Sequence, residues 1–79
     1  MTQTLSGLDR LTVEKGKLGG QPCIRGYRLS AHMVLEMLSG GYTPEQIIAD
    51  FPFVEPEDIQ QVLAYAARLA DVDVVSQTA

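Results

Sequence analysis

Three prolines and a glycine pair constrain the second half of this chain more tightly than any other feature. Thr43-Pro44-Glu45-Gln46 reads as a helix start. Thr43 is the N-cap, Pro44 occupies the first helical position where its missing N–H costs nothing, and Gln46 completes a capping box. Tyr42 before the cap and Ile47 or Ile48 after it are placed for a hydrophobic staple. Pro52 forbids continuation and biases Phe51 away from helical angles, so this helix is short and ends near Asp50. Phe53-Val54 plugs the next turn, and Pro56 is again a first-turn proline. Glu57 and Asp58 follow it, well placed against the positive end of the helix dipole. Ile59, Val62, Leu63, Ala66, Leu69 and Ala70 then form an apolar stripe about three turns long.

Upstream, Ser30 is a capping residue. Met33, Val34, Met37 and Leu38 keep the spacing of one helical face, which Leu35 widens. Gly40-Gly41 ends that helix in the manner of a left-handed cap. Before Ser30 the pattern is not helical. Leu11-Thr12-Val13-Glu14 alternates like a short strand, residues 15–20 are turn material, and Pro22-Cys23-Ile24-Arg25 is a return strand held to an edge by Pro22. The expected architecture is mostly α: a short N-terminal β-hairpin or strand arm (1–29), a three-helix bundle (30–70) and a tail (71–79), all one domain. Val72-Asp73-Val74-Val75 in the tail alternates weakly and suits addition to a partner's sheet edge.

With 79 residues there is room for one core, and a core of this size is marginal without a staple. Cys23 is the single cysteine and His32 the single histidine, so an intrachain disulfide is excluded and a metal site is poorly supplied. Association with itself or a partner is the expected supplement. The first helix is more apolar than a three-helix core requires, which makes Met33, Leu35 and Met37 candidates for a homodimer contact, unless the strand arm covers them. The N-terminal residues lack a signal-peptide pattern and no run is long enough to span a membrane, so a cytoplasmic protein without membrane contact is expected.

Charge is unevenly distributed. Residues 1–28 carry Arg10, Lys15, Lys17, Arg25 and Arg28 against Asp9 and Glu14, a net +3. Residues 29–79 carry Arg68 against Glu36, Glu45, Asp50, Glu55, Glu57, Asp58, Asp71 and Asp73, a net −7. A basic front and an acidic body steer partners by field. Arg25 and Arg28 either pair with the acids of the bundle or stay available for a phosphate or acidic partner.

No catalytic constellation emerges, no cofactor is implied, and no cleft is expected in so small a body. His32 reads as a structural histidine in a first helical turn. Cys23, between Pro22 and Ile24, reads as a small buried apolar residue, with a thiol activated by Arg25 and Arg28 as the sharper alternative. Glu55, Glu57 and Asp58 are accounted for by the helix dipole.

Three blocks carry a family resemblance: residues 20–30, residues 40–47 and residues 51–59. Together they are similar, in order and spacing over roughly Leu11 to Ala67, to the domain-of-unknown-function family numbered 433 (DUF433). The chain keeps the glycines, proline, isoleucine and arginine of the family's first block at Gly20, Pro22, Ile24, Gly26 and Arg28. It departs from the usual residues at Tyr27, Leu29 and Ser30. The resemblance implies a homeodomain-like helix-turn-helix fold and a VapB-like antitoxin encoded beside a PIN-like ribonuclease toxin. It also implies repression of their shared operon.

The leading expectation is therefore a non-enzymatic antitoxin that neutralises a PIN-like ribonuclease, with Glu55, Glu57, Asp58, Val72, Val74 and Val75 as partner contacts. The alternatives are an autorepressor contacting DNA through Arg10, Lys15, Lys17, Arg25 and Arg28, and a purely structural dimerisation module. DNA binding through the third helix is disfavoured, because acids at its head are repelled by phosphates even though Gln60 and Gln61 suit adenine.

Overall fold

The computed structural model describes residues 2–71, and its core draws on the first third of the chain as well as on the helices. Strand β1 (Thr2–Leu5) and strand β2 (Leu8–Glu14) form an antiparallel hairpin in the register Thr2↔Glu14, Gln3↔Val13 and Thr4↔Thr12. A bulge between Thr4 and Leu5 leads into a turn where Gly7 takes φ +78°, a conformation that costs glycine alone nothing. After the 3-10 turn Leu18–Gly20, strand β3 (Cys23–Ile24) pairs with the other side of β2, giving the sheet order β1-β2-β3.

Three helices follow: α1 (Ala31–Ser39), α2 (Pro44–Asp50) and α3 (Pro56–Ala70). Their punctuation is as the sequence suggests. The Ser30 hydroxyl accepts from Met33 N–H, and the Thr43–Gln46 capping box is formed in both directions. Helix α1 closes with bonds from Gly41 N–H to Leu38 C=O and from Tyr42 N–H to Met37 C=O, with Gly41 at φ +100°; this is the Schellman arrangement.

Leu8, Leu11, Ile24 and Leu29 are buried in one cluster with Ala31, Val34, Ile47, Val54, Ile59 and Val62. Helix α3 packs on β2 as well as on α1 and α2. The expectation of a mostly α protein, a homeodomain-like three-helix bundle carrying a strand arm, is thereby overturned: this is an α+β fold with a three-stranded antiparallel sheet as a structural layer. The physical reason is area. Helices of nine, seven and fifteen residues are too short to enclose a core by themselves, and the inner face of β2–β3 supplies the missing apolar side.

Two helical faces also differ from expectation. Helix α1 buries Ala31 and Val34 and packs Leu35, Met37 and Leu38 against the core, while Met33 is exposed. Helix α3 buries Asp58, Ile59 and Val62, but Leu63 and Leu69 are 44% and 57% exposed. The second half of its apolar stripe therefore lies outside the core. Among the described residues no helix is long and apolar enough to cross a membrane.

Candidate functional site

The densest polar constellation joins the sheet to the head of α3. Asp58 stands at the third position of α3, where a carboxylate reaches back to the N-cap, and its Oδ2 accepts from Glu55 N–H at 2.8 Å. The side chain is fully buried, which an unpaired carboxylate would not tolerate. Two arginines from the sheet layer compensate it. Arg25, in the turn after β3, donates from Nε at 3.0 Å to Oδ1 and from Nη2 at 3.0 Å to Oδ2. Arg10, on β2, donates from Nη1 to Asp58 Oδ1 at 3.0 Å and to Glu55 Oε1 at 2.7 Å. Arg25 Nη2 also donates to the Phe53 carbonyl.

Burial alone would raise the Asp58 pKa, but the bonds from Arg25, Glu55 N–H and Arg10 outweigh it and hold the carboxyl below its usual range. Hydrogen bonds to Glu55 and then Asp58 push the Arg10 guanidinium pKa upward, and the bond to Asp58 does the same for Arg25. Every bond from the two arginines runs to a residue far away in sequence, so the cluster is a cross-link between layers. A carboxylate this enclosed, with both oxygens engaged, has no free lone pair facing solvent for proton transfer or partner contact.

Arg25 carries a further mark of constraint, with φ +42° where glycine would be unstrained. An arginine persists there because the bidentate pairing with Asp58 compensates a left-handed backbone. Beside it, Tyr27 stacks on Phe53 with ring centroids 4.1 Å apart and planes at 17°. The Arg25 guanidinium lies 5.4 Å from the Tyr27 centroid, and Phe51 meets Phe53 edge-on. A neighbouring seam continues along β2: Gln61 accepts from Arg10 N–H and donates to Asp9, both at 2.8 Å.

The structure thus gathers Arg10, Arg25, Glu55 and Asp58 into one cluster. Glu57 is separate and exposed. Lys17 bridges Glu14 at 2.7 Å and donates to the Gly26 carbonyl; this contact with Lys17 holds the Glu14 pKa down. Lys15 and Arg28 are exposed. Of the α1 candidates, Met33 is exposed while Leu35 and Met37 are half-buried against the core. Val72, Val74 and Val75 lie outside the described residues. Cys23 is buried and burial pushes its thiol pKa up, the opposite of activation.

An open groove of about 350 Å³, unexpected from the sequence, lies between α1 and α3, where Leu35, Tyr65 and Leu69 meet Gln21, Pro22 and His32. Among the described residues no three His, Cys, Asp or Glu side chains are grouped to hold a metal ion. The pairing of Arg10 with Asp58 had no local signature, because its partners are 48 residues apart. The one cue was Asp58 at the third helical position after Pro56.

These features define a small α+β domain whose sheet is locked to its last helix by a buried ion cluster. The chain belongs to the family described as protein of unknown function (DUF433), whose profile matches residues 11–66. Its fold is similar to the crystal structure of a DUF433 member from Anabaena variabilis, with a TM-score of 0.73 and 22% identity over 75% of this chain. The chain spans 58% of the length of that protein. No curated protein matches it.

Proposed function

We propose that this chain is a non-enzymatic, antitoxin-like binding protein whose partner is a PIN-like ribonuclease met by the acidic helical layer. The observation that carries the reading is where the uncompensated charge lies. Asp58 and Glu55 are drawn into the internal cluster, but Glu36, Glu45, Asp50, Glu57 and Asp71 are exposed. Arg68 is the one arginine or lysine between residues 29 and 71. A nuclease groove built for phosphates is basic, and an acidic surface gains association rate and specificity against it.

Of the acids expected from the sequence, Glu57 stays in the contact while Glu55 and Asp58 leave it, and the exposed acids of α1 and α2 join it. The test is to identify the product of the adjacent gene, which the reading requires to be a PIN-like ribonuclease, and to measure its RNA cleavage with and without the protein. Inhibition is expected, and the Glu45→Lys, Asp50→Lys, Glu57→Lys variant should slow association at least about tenfold at low salt, with the gap closing as salt rises. Absence of both a complex and inhibition with wild-type protein would overturn the reading.

The autorepressor alternative is left with Lys15 and Arg28, since Arg10 and Arg25 are engaged by Asp58 and Lys17 by Glu14. Two phosphate contacts give a salt slope of about −2, which a gel shift of the chain's own promoter would detect.

A further inference from the structure

The two edges of the sheet are treated differently. Beyond β3 the chain folds back along the margin: Ile24 N–H bonds to Leu29 C=O, Ala31 N–H bonds to Pro22 C=O, and Cys23 and Ser30 form a bridge. That edge is covered. On the other side β1 is the last strand, and its alternate N–H and C=O groups point away from β2. Among the described residues no turn, loop or side-chain bond reaches them.

An open edge is a template for another strand, and proteins usually guard it with lysine, proline or an inward charge. Thr2-Gln3-Thr4 has none of these. Its three side chains are exposed, so no described residue covers them, and the bulge that twists the strand comes only after Thr4.

We propose that the outer edge of β1 pairs antiparallel with the β1 edge of a second copy of this chain, about a two-fold axis at Gln3, to make a continuous six-stranded sheet. The residues commit the edge to itself rather than to a foreign segment. Thr2-Gln3-Thr4 reads the same in both directions, so the two-fold places Thr2 opposite the second copy's Thr4 and Gln3 opposite Gln3. Threonine pairs across antiparallel strands are favourable and no like charges meet. Thr2, Gln3 and Thr4 are polar and exposed, so the edge offers little to select a foreign peptide's apolar side chains. Self-pairing is isologous, closes after two copies and removes both open edges at once. The pairing is independent of the nuclease reading and stands or falls by itself.

The experiment is sedimentation equilibrium on the full chain. Wild type is expected to dimerise. Gln3→Lys and Gln3→Glu, each facing its own like charge, should each raise the dissociation constant at least about tenfold. An equimolar mixture of the two variants should recover the dimer as a heterodimer, because residue 3 then meets its opposite charge. Gln3 is exposed, so both variants should keep the wild-type circular dichroism. Should either lose it, Gln3→Cys decides the matter by forming a symmetric disulfide dimer under mild oxidation, with Cys23 buried and out of reach.

A wild-type monomer at about 1 mM, where pairing worth about 4 kcal/mol would already show, overturns the proposal. So does a dimer indifferent to both charge variants, a mixture that fails to recover, or a dimer abolished by Met33→Glu and untouched at Gln3.

Discussion

Asp58 is the residue on which most of the tertiary structure converges. Removing its charge leaves Arg25 partly buried without a counter-ion and Arg10 with Glu55 alone, and breaking a buried pair from one side costs about 3–5 kcal/mol. Urea unfolding of Asp58→Asn at neutral pH should show a loss of that size. The pH dependence has a defined sign. The folded pKa of Asp58 is lowered, so its contribution is complete above the unfolded value of about 3.9 and is lost as pH falls through the folded one. The gap between wild type and Asp58→Asn should therefore narrow below about pH 4. Arg25 gives a second test, because its backbone and its side chain pull in opposite directions. Arg25→Gly loses the ion pair but relieves the positive φ, whereas Arg25→Ala loses the pair and keeps the strain. Arg25→Gly should be the more stable of the two by about 1 kcal/mol in thermal or urea unfolding. The charge asymmetry of the chain was legible in the sequence, and so was the choice between paired and free arginines. Which option Arg25 takes depends on a carboxylate 33 residues away, and no local pattern encodes that.

At the scale of elements, the short helix α2 depends heavily on its ends. It has seven residues and buries Ile47, so Thr43 and Gln46 hold a large share of its order. Thr43→Ala removes the acceptor for Gln46 N–H at 3.1 Å and should destabilise the domain by about 1 kcal/mol, measurable as a shift in urea midpoint at constant slope. Helix starts and stops were readable throughout because capping, proline and glycine act on backbone groups within a few residues of themselves. Helix faces were less readable. Periodicity placed Met33 and Leu69 on apolar stripes, yet both are exposed, because which part of a stripe is buried depends on where the neighbouring element ends. Strand β1 was missed for a related reason. Thr2-Gln3-Thr4-Leu5 has no strong alternation, and its conformation is imposed by β2 through backbone pairing rather than by its own side chains.

The whole molecule is one core shared between a sheet layer and three helices. A fragment of residues 30–71 would be a free-standing bundle if the sheet were only an arm. Instead it lacks Leu8, Leu11, Ile24 and Leu29, all buried in the common cluster, and truncating even one buried leucine costs about 2–5 kcal/mol. Circular dichroism of that fragment should show a largely unfolded chain without a cooperative thermal transition, where residues 1–71 give one.

By itself the sequence determined the helix boundaries, the β2–β3 hairpin region, the burial of Cys23 and the separation of basic and acidic segments. Each of these rests on interactions within a few residues or on composition. Only the tertiary structure decided that the strands form a core layer, that Asp58 binds Arg10 and Arg25, and that one edge of the sheet is unpaired among the described residues. Those outcomes depend on which distant surfaces meet, and a chain with marginal helices completes its core with whatever apolar face lies nearest. Here that face is the inner side of β2 and β3.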